Sequence, residues 1–179
     1  MSQLTVYAVD QKQKPLLVTT DFTAIQQTLE EVGIVVERWQ PAVTVEAGDD
    51  AEQILTAFDE QISELKQRGG YQQADVISLD PKHPDRVALR KKFLAEHIHN
   101  EDEVRFFVAG QGLFCLHIGE NVYQLLCEKN DLINVPAKTK HWFDMGPEPN
   151  FVAVRLFINP EGWVAELTGN DIAKDFPLL

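Results

Sequence analysis

From Glu103 to Ile158 the chain reads as a train of short runs rich in β-branched and aromatic residues: Glu103 to Ala109, Leu113 to Ile118, Val122 to Cys127, Leu132 to Val135, His141 to Met145 and Phe151 to Ile158. Short strands at this even spacing cannot each bury a face alone, so they predict a mainly β sandwich or barrel closed around one core. Gly110-Gln111-Gly112, Gly119-Glu120-Asn121 and Lys129-Asn130-Asp131 are read as hairpin turns between them. The first half differs. Leu4 to Val9, Ile34 to Trp39 and Asp75 to Leu79 are extended. Phe22, Ile25, Leu29 and Val32 fall at helical spacing behind Thr20 or Asp21 as a cap and before Gly33 as a stop. A second helix is predicted from about Asp50, with Ile54, Phe58, Ile62 and Leu65 on one stripe and Gly69-Gly70 ending it; a short third opens at Pro84 and Asp85. One domain over 1–179 is expected: a mixed helix and strand flank over 1–95, a β core over 96–160 and a C-terminal segment over 161–179.

Charge narrows the partners. The chain carries 28 Asp and Glu against 16 Lys and Arg, a formal charge of -12. That field repels phosphate backbones and anionic membranes, so neither nucleic acid nor lipid is an expected partner. A small anionic substrate stays admissible, because one buried Arg beside a metal dominates locally. The first residues lack the basic stretch and apolar run of a signal peptide, and no apolar run approaches the ~20 residues that span a bilayer. The expected compartment is the cytoplasm. Cys115 and Cys127 sit in strand-like sequence, too far apart for a CxxC site, and are read as buried free thiols; a disulfide stays open. A monomer is expected, since no strand advertises a long apolar interface.

Five histidines occur: His83, His97, His99, His117 and His141. Side chains alternate along a strand, so His97 and His99 point the same way. The turn-like Asn100-Glu101-Asp102 lets the chain return with Glu103 facing the same interior. The turn Pro136-Ala137-Lys138-Thr139 brings His141 alongside on a later strand. Imidazoles with one carboxylate suit a single divalent first-row metal, and four protein ligands in an octahedral shell leave two positions open. HxH alone is a common surface accident; the two further ligands are what make it a candidate site. Ligation needs neutral imidazoles, so binding is expected to weaken below roughly pH 6.

The segment EHIHNEDEVRFFVAGQG resembles the first cupin motif, in which HxH is followed by Glu and, seven residues later, by Gly; Glu103 and Gly110 fit. In the second motif Pro136 and His141 match, while Lys138 stands where many cupins have Gly. Lys91 and Met145 likewise depart from the pattern, without removing a ligand. A longer resemblance is to the acireductone dioxygenase family: LRKKFLAEHIHNEDEVRFFVAGQGLF, VPAKTKHWFDMG, VRLFINPEGW and, upstream, the ERW around Trp39. It implies a cupin-type double-stranded β-barrel (jelly roll) with flanking helices. It also implies Fe2+ or Ni2+ on His97, His99, Glu103 and His141, and a reaction of an acireductone with O2 in methionine salvage. Two alternatives stand beside it: another cupin metalloenzyme, or a non-catalytic cupin binding a metal or small ligand.

If Glu103 points inward, Arg105 and Phe107 share its face while Val104, Phe106 and Val108 face the other layer. Arg105 either favours a deprotonated enediol by charge or forms an ordinary salt bridge with an acidic neighbour; the resemblance implies the first, in forming the substrate dianion. Glu96 and Asp102 either orient imidazoles from behind or are surface carboxylates; the resemblance links them to metal loading, conformational relay and, at Asp102, base catalysis. Phe93, Phe107, Phe143 and Trp163 are candidates for an apolar wall around a thioether tail, or simply core. Arg155 faces inward or outward. His83, between Pro81 and Pro84, is read as an exposed loop residue, and His117 as structural.

Overall fold

Two antiparallel sheets share one long strand. The computed structural model describes residues 1–159, 161 and 164–179. The shared strand, β6 (Glu103–Ile118), pairs through its first half with β8 (Asp131–Val135) and β10 (Phe151–Phe157), and through its second half with β7 (Asn121–Glu128) and β9 (Lys140–Asp144). Beyond β9 the first sheet continues to β5 (His97–Ile98) and β11 (Glu166–Leu167); beyond β7 it continues to β1 (Gln3–Ala8) and β2 (Pro15–Thr19). The second sheet is completed by β3 (Val35–Arg38) beside β8 and β4 (Gln73–Leu79) beside β10. The chain is mainly β, as its pattern of short runs predicts.

Gly110-Gln111-Gly112 is not a hairpin turn. The strand runs through it and changes sheets there. Gly110 has φ +66, and a Cβ on it would lie 1.8 Å from Asn150 O; a Cβ on Gly112 would lie 2.3 Å from the Phe143 ring. These residues therefore bend one strand around the core instead of reversing it. Ahead of the bend the register with β10 slips, Val152 facing Ala109 and Ala153 facing Phe107. The slip moves the inward face from odd residues such as Phe107 to even ones such as Phe114 and Leu116.

The flanking helices cover what the sheets leave open. α1 (Phe22–Glu30) is capped by Asp21, which accepts from Thr23 N and Ala24 N, and buries Ile25 and Leu29 in the central core with Leu4, Val36 and Ile133. The single helix expected after Asp50 is two: α2 (Ala51–Ala57) and α3 (Asp59–Gly69), separated at Phe58 with φ -107 and ψ 18. Thr56 Oγ1 bonds back to Glu52 O at 2.8 Å, a bond that bends helices. The break leaves the apolar stripe intact: Ile54, Phe58, Ile62 and Leu65 pack on the outward face of the second sheet, against Val104, Phe106 and Val108. Each such side chain contributes on the order of 1.5–3 kcal/mol by burial. α4 (Arg86–Phe93) precedes β5 and is held by Arg90, which donates to Asp144 at 2.7 and 3.0 Å. The strand β2 escaped the sequence reading; Leu16, Leu17 and Val18 are exposed on a sheet edge and give no burial pattern. Cys115 and Cys127 are buried free thiols. Among the described residues no helix is long and apolar enough to cross a membrane.

Gly110 and Gly119 separate steric clash from backbone strain. Gly110→Ala should lower unfolding free energy by ~3 kcal/mol, whereas Gly119→Ala, with φ +61 but open space around it, should cost only ~1 kcal/mol. Urea denaturation of the two variants measures the difference.

Candidate metal centre

His97, His99 and His141 meet inside the barrel mouth because three short segments are brought edge to edge. β5 lies between β11 and β9, with His97 opposite His141 across the ladder. Imidazole centroids are 4.4 Å apart for His97 and His141, 5.1 Å for His97 and His99, and 5.3 Å for His99 and His141. One ligating atom from each lies within 4.8 Å of the others. All three residues are buried, as is Glu103 at the start of β6.

The ring tautomers follow from their partners. Nδ1 of His97 bonds Ala95 O at 2.7 Å, that of His99 bonds Val164 O at 3.1 Å, and that of His141 bonds Thr139 O at 2.8 Å. A carbonyl only accepts, so each Nδ1 carries a hydrogen, and in the neutral ring that ligation requires each Nε2 presents a lone pair. His141 Nε2 lies 3.0 Å from Glu103 Oε2, and His99 Nε2 lies 3.8 Å from the same oxygen. With no hydrogen on Nε2, these are acceptors facing acceptors. Glu103 Oε2 and His141 Nε2 accordingly have no hydrogen-bond partner among the described residues, although both are buried. Such an arrangement calls for a cation. Two ligands ~2.1 Å from one ion and at right angles stand ~3.0 Å apart, so the spacing fits a divalent metal.

Arg105 sets the other half of the electrostatics. Its Nε donates to Glu103 Oε1 at 2.7 Å and its Nη2 approaches the same oxygen at 2.6 Å. One carboxylate oxygen is thereby engaged while the other stays free. Burial alone would raise the Glu103 carboxyl, but the Arg105 charge holds it well below the usual carboxylate range. Arg105 Nη1 is buried without a partner among the described residues. Both readings of Arg105 thus meet in one residue: it is an ion-pair partner, and one of its nitrogens is left over.

Aromatic rings form the surrounding wall. Phe143 packs on Phe93 at 6.3 Å, Phe107 at 6.2 Å, Phe114 at 5.5 Å and Phe151 at 5.4 Å between centroids. Three of the expected aromatics, Phe93, Phe107 and Phe143, therefore converge; Trp163 lies outside the described residues. Phe114 was missed and stacks on His141 at 5.8 Å with 23° between planes, while the Arg105 guanidinium lies 5.2 Å from its centroid. Extending the odd-numbered inward face of Glu103, Arg105 and Phe107 points Phe114 the wrong way, and only the register slip reverses it.

Glu96 and Asp102 do not orient the imidazoles, whose Nδ1 atoms are all taken by carbonyls. Glu96 is not a surface group either: it is 1% exposed and bonds His117 and Thr168. Asp102 Oδ1 accepts from Ala137 N at 2.9 Å, tying the turn before β6 to the loop before β9. His117 lies off the imidazole cluster, and His83 accepts from Asp85 N in the loop before α4. Arg155 sits opposite Arg105 in the β6–β10 ladder, hence on the same face, and pairs with Asp75 at 2.6 Å.

Known proteins resemble this chain along nearly its whole length. A model of the ARD/ARD' family matches residues 3–165. Acireductone dioxygenase of Pseudomonas paraeruginosa is 58% identical over 179 residues, covering 100% of this chain and 99% of the relative. That of a Synechococcus strain is 59% identical over 182 residues with the same coverage. A solved acireductone dioxygenase from Bacillus anthracis, with a cadmium ion in its active centre, superimposes with a TM-score of 0.78 at 29% identity, covering 93% of this chain and 98% of the other.

Burial, and next the neighbouring His141, lower the His97 imidazole from 6.5 to about 4. Burial lowers His99 as well. Between those values the unfolded chain binds the proton that folded His97 refuses, so stability rises with pH there. In chelator-treated protein the melting temperature should therefore fall as pH drops from 6.5 toward about 4, and less steeply in His97→Gln. Neutral His97 persists below the pH 6 limit that an unperturbed imidazole suggests. Calorimetric scans across that range check the slope.

Proposed function

The chain belongs to the ARD/ARD' family, and on that premise we propose that it is a metal-dependent dioxygenase cleaving the acireductone 1,2-dihydroxy-3-keto-5-methylthiopentene with O2, in methionine salvage. The observation that carries this reading is the buried, unpartnered Oε2 of Glu103 facing His141 Nε2, beside an arginine with a spare nitrogen. His97, His99, Glu103 and His141 would hold one Fe2+ or Ni2+ per chain, with Nε2 of each imidazole and Oε2 of the carboxylate as donors. A divalent ion there supplies Lewis acidity, stabilising negative charge on the oxygens of a chelating enediol.

The chain's own groups do the rest. Glu103 remains ionised because Arg105 neutralises it, so the ligand set needs no proton removed from that carboxyl. Arg105 Nη1 is free to donate to an enediolate oxygen, and its charge favours the dianion. Phe93, Phe107 and Phe143 surround the methylthio tail and exclude water, with Trp163 assigned to the same wall from the sequence. Glu96 and Asp102 serve the site through the loops they tie. With Fe2+ the products are 2-keto-4-methylthiobutyrate and formate; with Ni2+ they are methylthiopropionate, formate and CO. The enzyme works as a cytoplasmic monomer on a small molecule, without nucleic acid or membrane.

Protein reconstituted with one metal at a time, mixed anaerobically with synthetic acireductone and then exposed to O2, tests the proposal: substrate must disappear only with both metal and O2 present. His97→Ala and His141→Ala should lose metal and turnover together, and full metal occupancy in both would refute the ligand assignment.

Arg105→Met separates chemistry from scaffold. It should keep its metal while turnover falls by ~10²-fold or more, typical of losing one charge-stabilising group. The absorbance of the substrate dianion should be largely absent on mixing. Arg105→Lys should recover only part, since a point charge lacks the planar fork of donors. Near-normal turnover in Arg105→Met would leave Arg105 with its Glu103 pairing alone.

A further inference from the structure

The segment that carries His97 and His99 is thinly held. β5 is two residues long; its ladder comprises one pair with β9 and two with β11, itself two residues long and exposed. A strand this short gains little from its own hydrogen bonds, yet it must present two imidazoles in fixed geometry.

The opposite face supplies the missing restraint. Glu96, immediately before His97, has a fully buried side chain. Its Oε2 accepts from His117 Nδ1 at 2.7 Å and its Oε1 accepts from Thr168 Oγ1 at 2.6 Å. Its backbone carbonyl accepts from Thr168 N at 3.1 Å. Each carboxylate oxygen thus has one donor, and the donors come from opposite sides. Thr168 follows β11. His117 belongs to β6, on the far side of β9, next to Leu116, which pairs with His141. The link therefore runs behind His141, spanning β5, β9 and β6 on the face away from the imidazoles.

We infer that His117 and Thr168 are positioning residues that act through the buried Glu96 carboxylate to hold β5, which bears His97 and leads directly into His99, in ligating register. Neither touches the three imidazoles. Their effect is to keep β5 against β9 before any ion arrives, so that binding does not have to order it. The affinity part of this inference rests on the metal reading above; the order of the strand does not.

The experiment uses the full chain with Thr168→Val, Thr168→Ser and His117→Leu. In chelator-treated protein, amide exchange over residues 96–99 should quicken at least tenfold in Thr168→Val and His117→Leu, with β7 unchanged. Ni2+ affinity by titration should fall about tenfold or more, the scale of losing a group that orients a metal ligand. Thr168→Ser keeps the hydroxyl and should behave as wild type in both measurements. Exchange and affinity unchanged in Thr168→Val, or exchange quickened equally in every strand, would overturn the inference and leave an ordinary packing contact. If His117→Leu does not fold, the two Thr168 variants decide alone. If the wild-type protein takes up no Ni2+, the proposed function fails while the exchange measurement still decides the role of Thr168 and His117.

Discussion

When His141 is neutral, Glu103 Oε2 and His141 Nε2 face each other across 3.0 Å with no hydrogen available to either among the described residues. Two buried lone pairs at that distance repel, and removing them from water without a partner costs further free energy. A fold keeps such a contact only if the surrounding structure forces it and something positive occupies the space. The forcing groups are the carbonyls of Ala95, Thr139 and Val164, which take every Nδ1 hydrogen and turn every Nε2 inward. Backbone carbonyls set these tautomers, where side-chain carboxylates are often used for the purpose.

The architecture makes those carbonyls available. Each of these acceptors belongs to a segment just ahead of a strand at the barrel mouth, where backbone groups are not consumed by a ladder. The long strand β6 does the converse. Its first half carries Glu103 and Arg105 into the core from one sheet, and its second half carries Phe114 under His141 from the other. One bend at Gly110 and Gly112, where any side chain would collide with Asn150 or Phe143, brings the charged and aromatic parts of the site together. The helices α2 and α3 sit behind the second sheet and stiffen the layer from which Arg105 projects.

Charge within the site is balanced locally despite the acidic chain. Arg105 is the counter-ion of Glu103, held in a cavity of aromatic rings that screens it poorly, so the carboxylate stays ionised against its own burial. Burial meanwhile disfavours protonated His97. Both shifts act in the same direction: the folded chain favours an anionic Glu103 and a neutral His97 without any ion.

Much of this was legible in the residues alone. The period of two places His97 with His99, and Glu103 with Arg105 and Phe107, because side-chain alternation is a local property of an extended backbone. Helix caps and stripes at Asp21, Ile25 and Leu29 are local for the same reason. What lay beyond reach depended on register between distant segments. Gly110-Gln111-Gly112 has the composition of a turn, and only the presence of β10 and β9 on either side makes it a bend. A one-residue slip at the β6–β10 ladder, invisible in the sequence of β6, decides that Phe114 faces inward. Val164 reaches His99 across 65 residues, and Thr168 reaches Glu96 across 72. Which side chains can bond metal is thus written in residue type and spacing, and the carbonyls that hold His97 and His141 lie only two residues back; the partners of His99 and Glu96 are chosen by how strands far apart in the chain align, since hydrogen bonds between strands carry no sequence signal of their own.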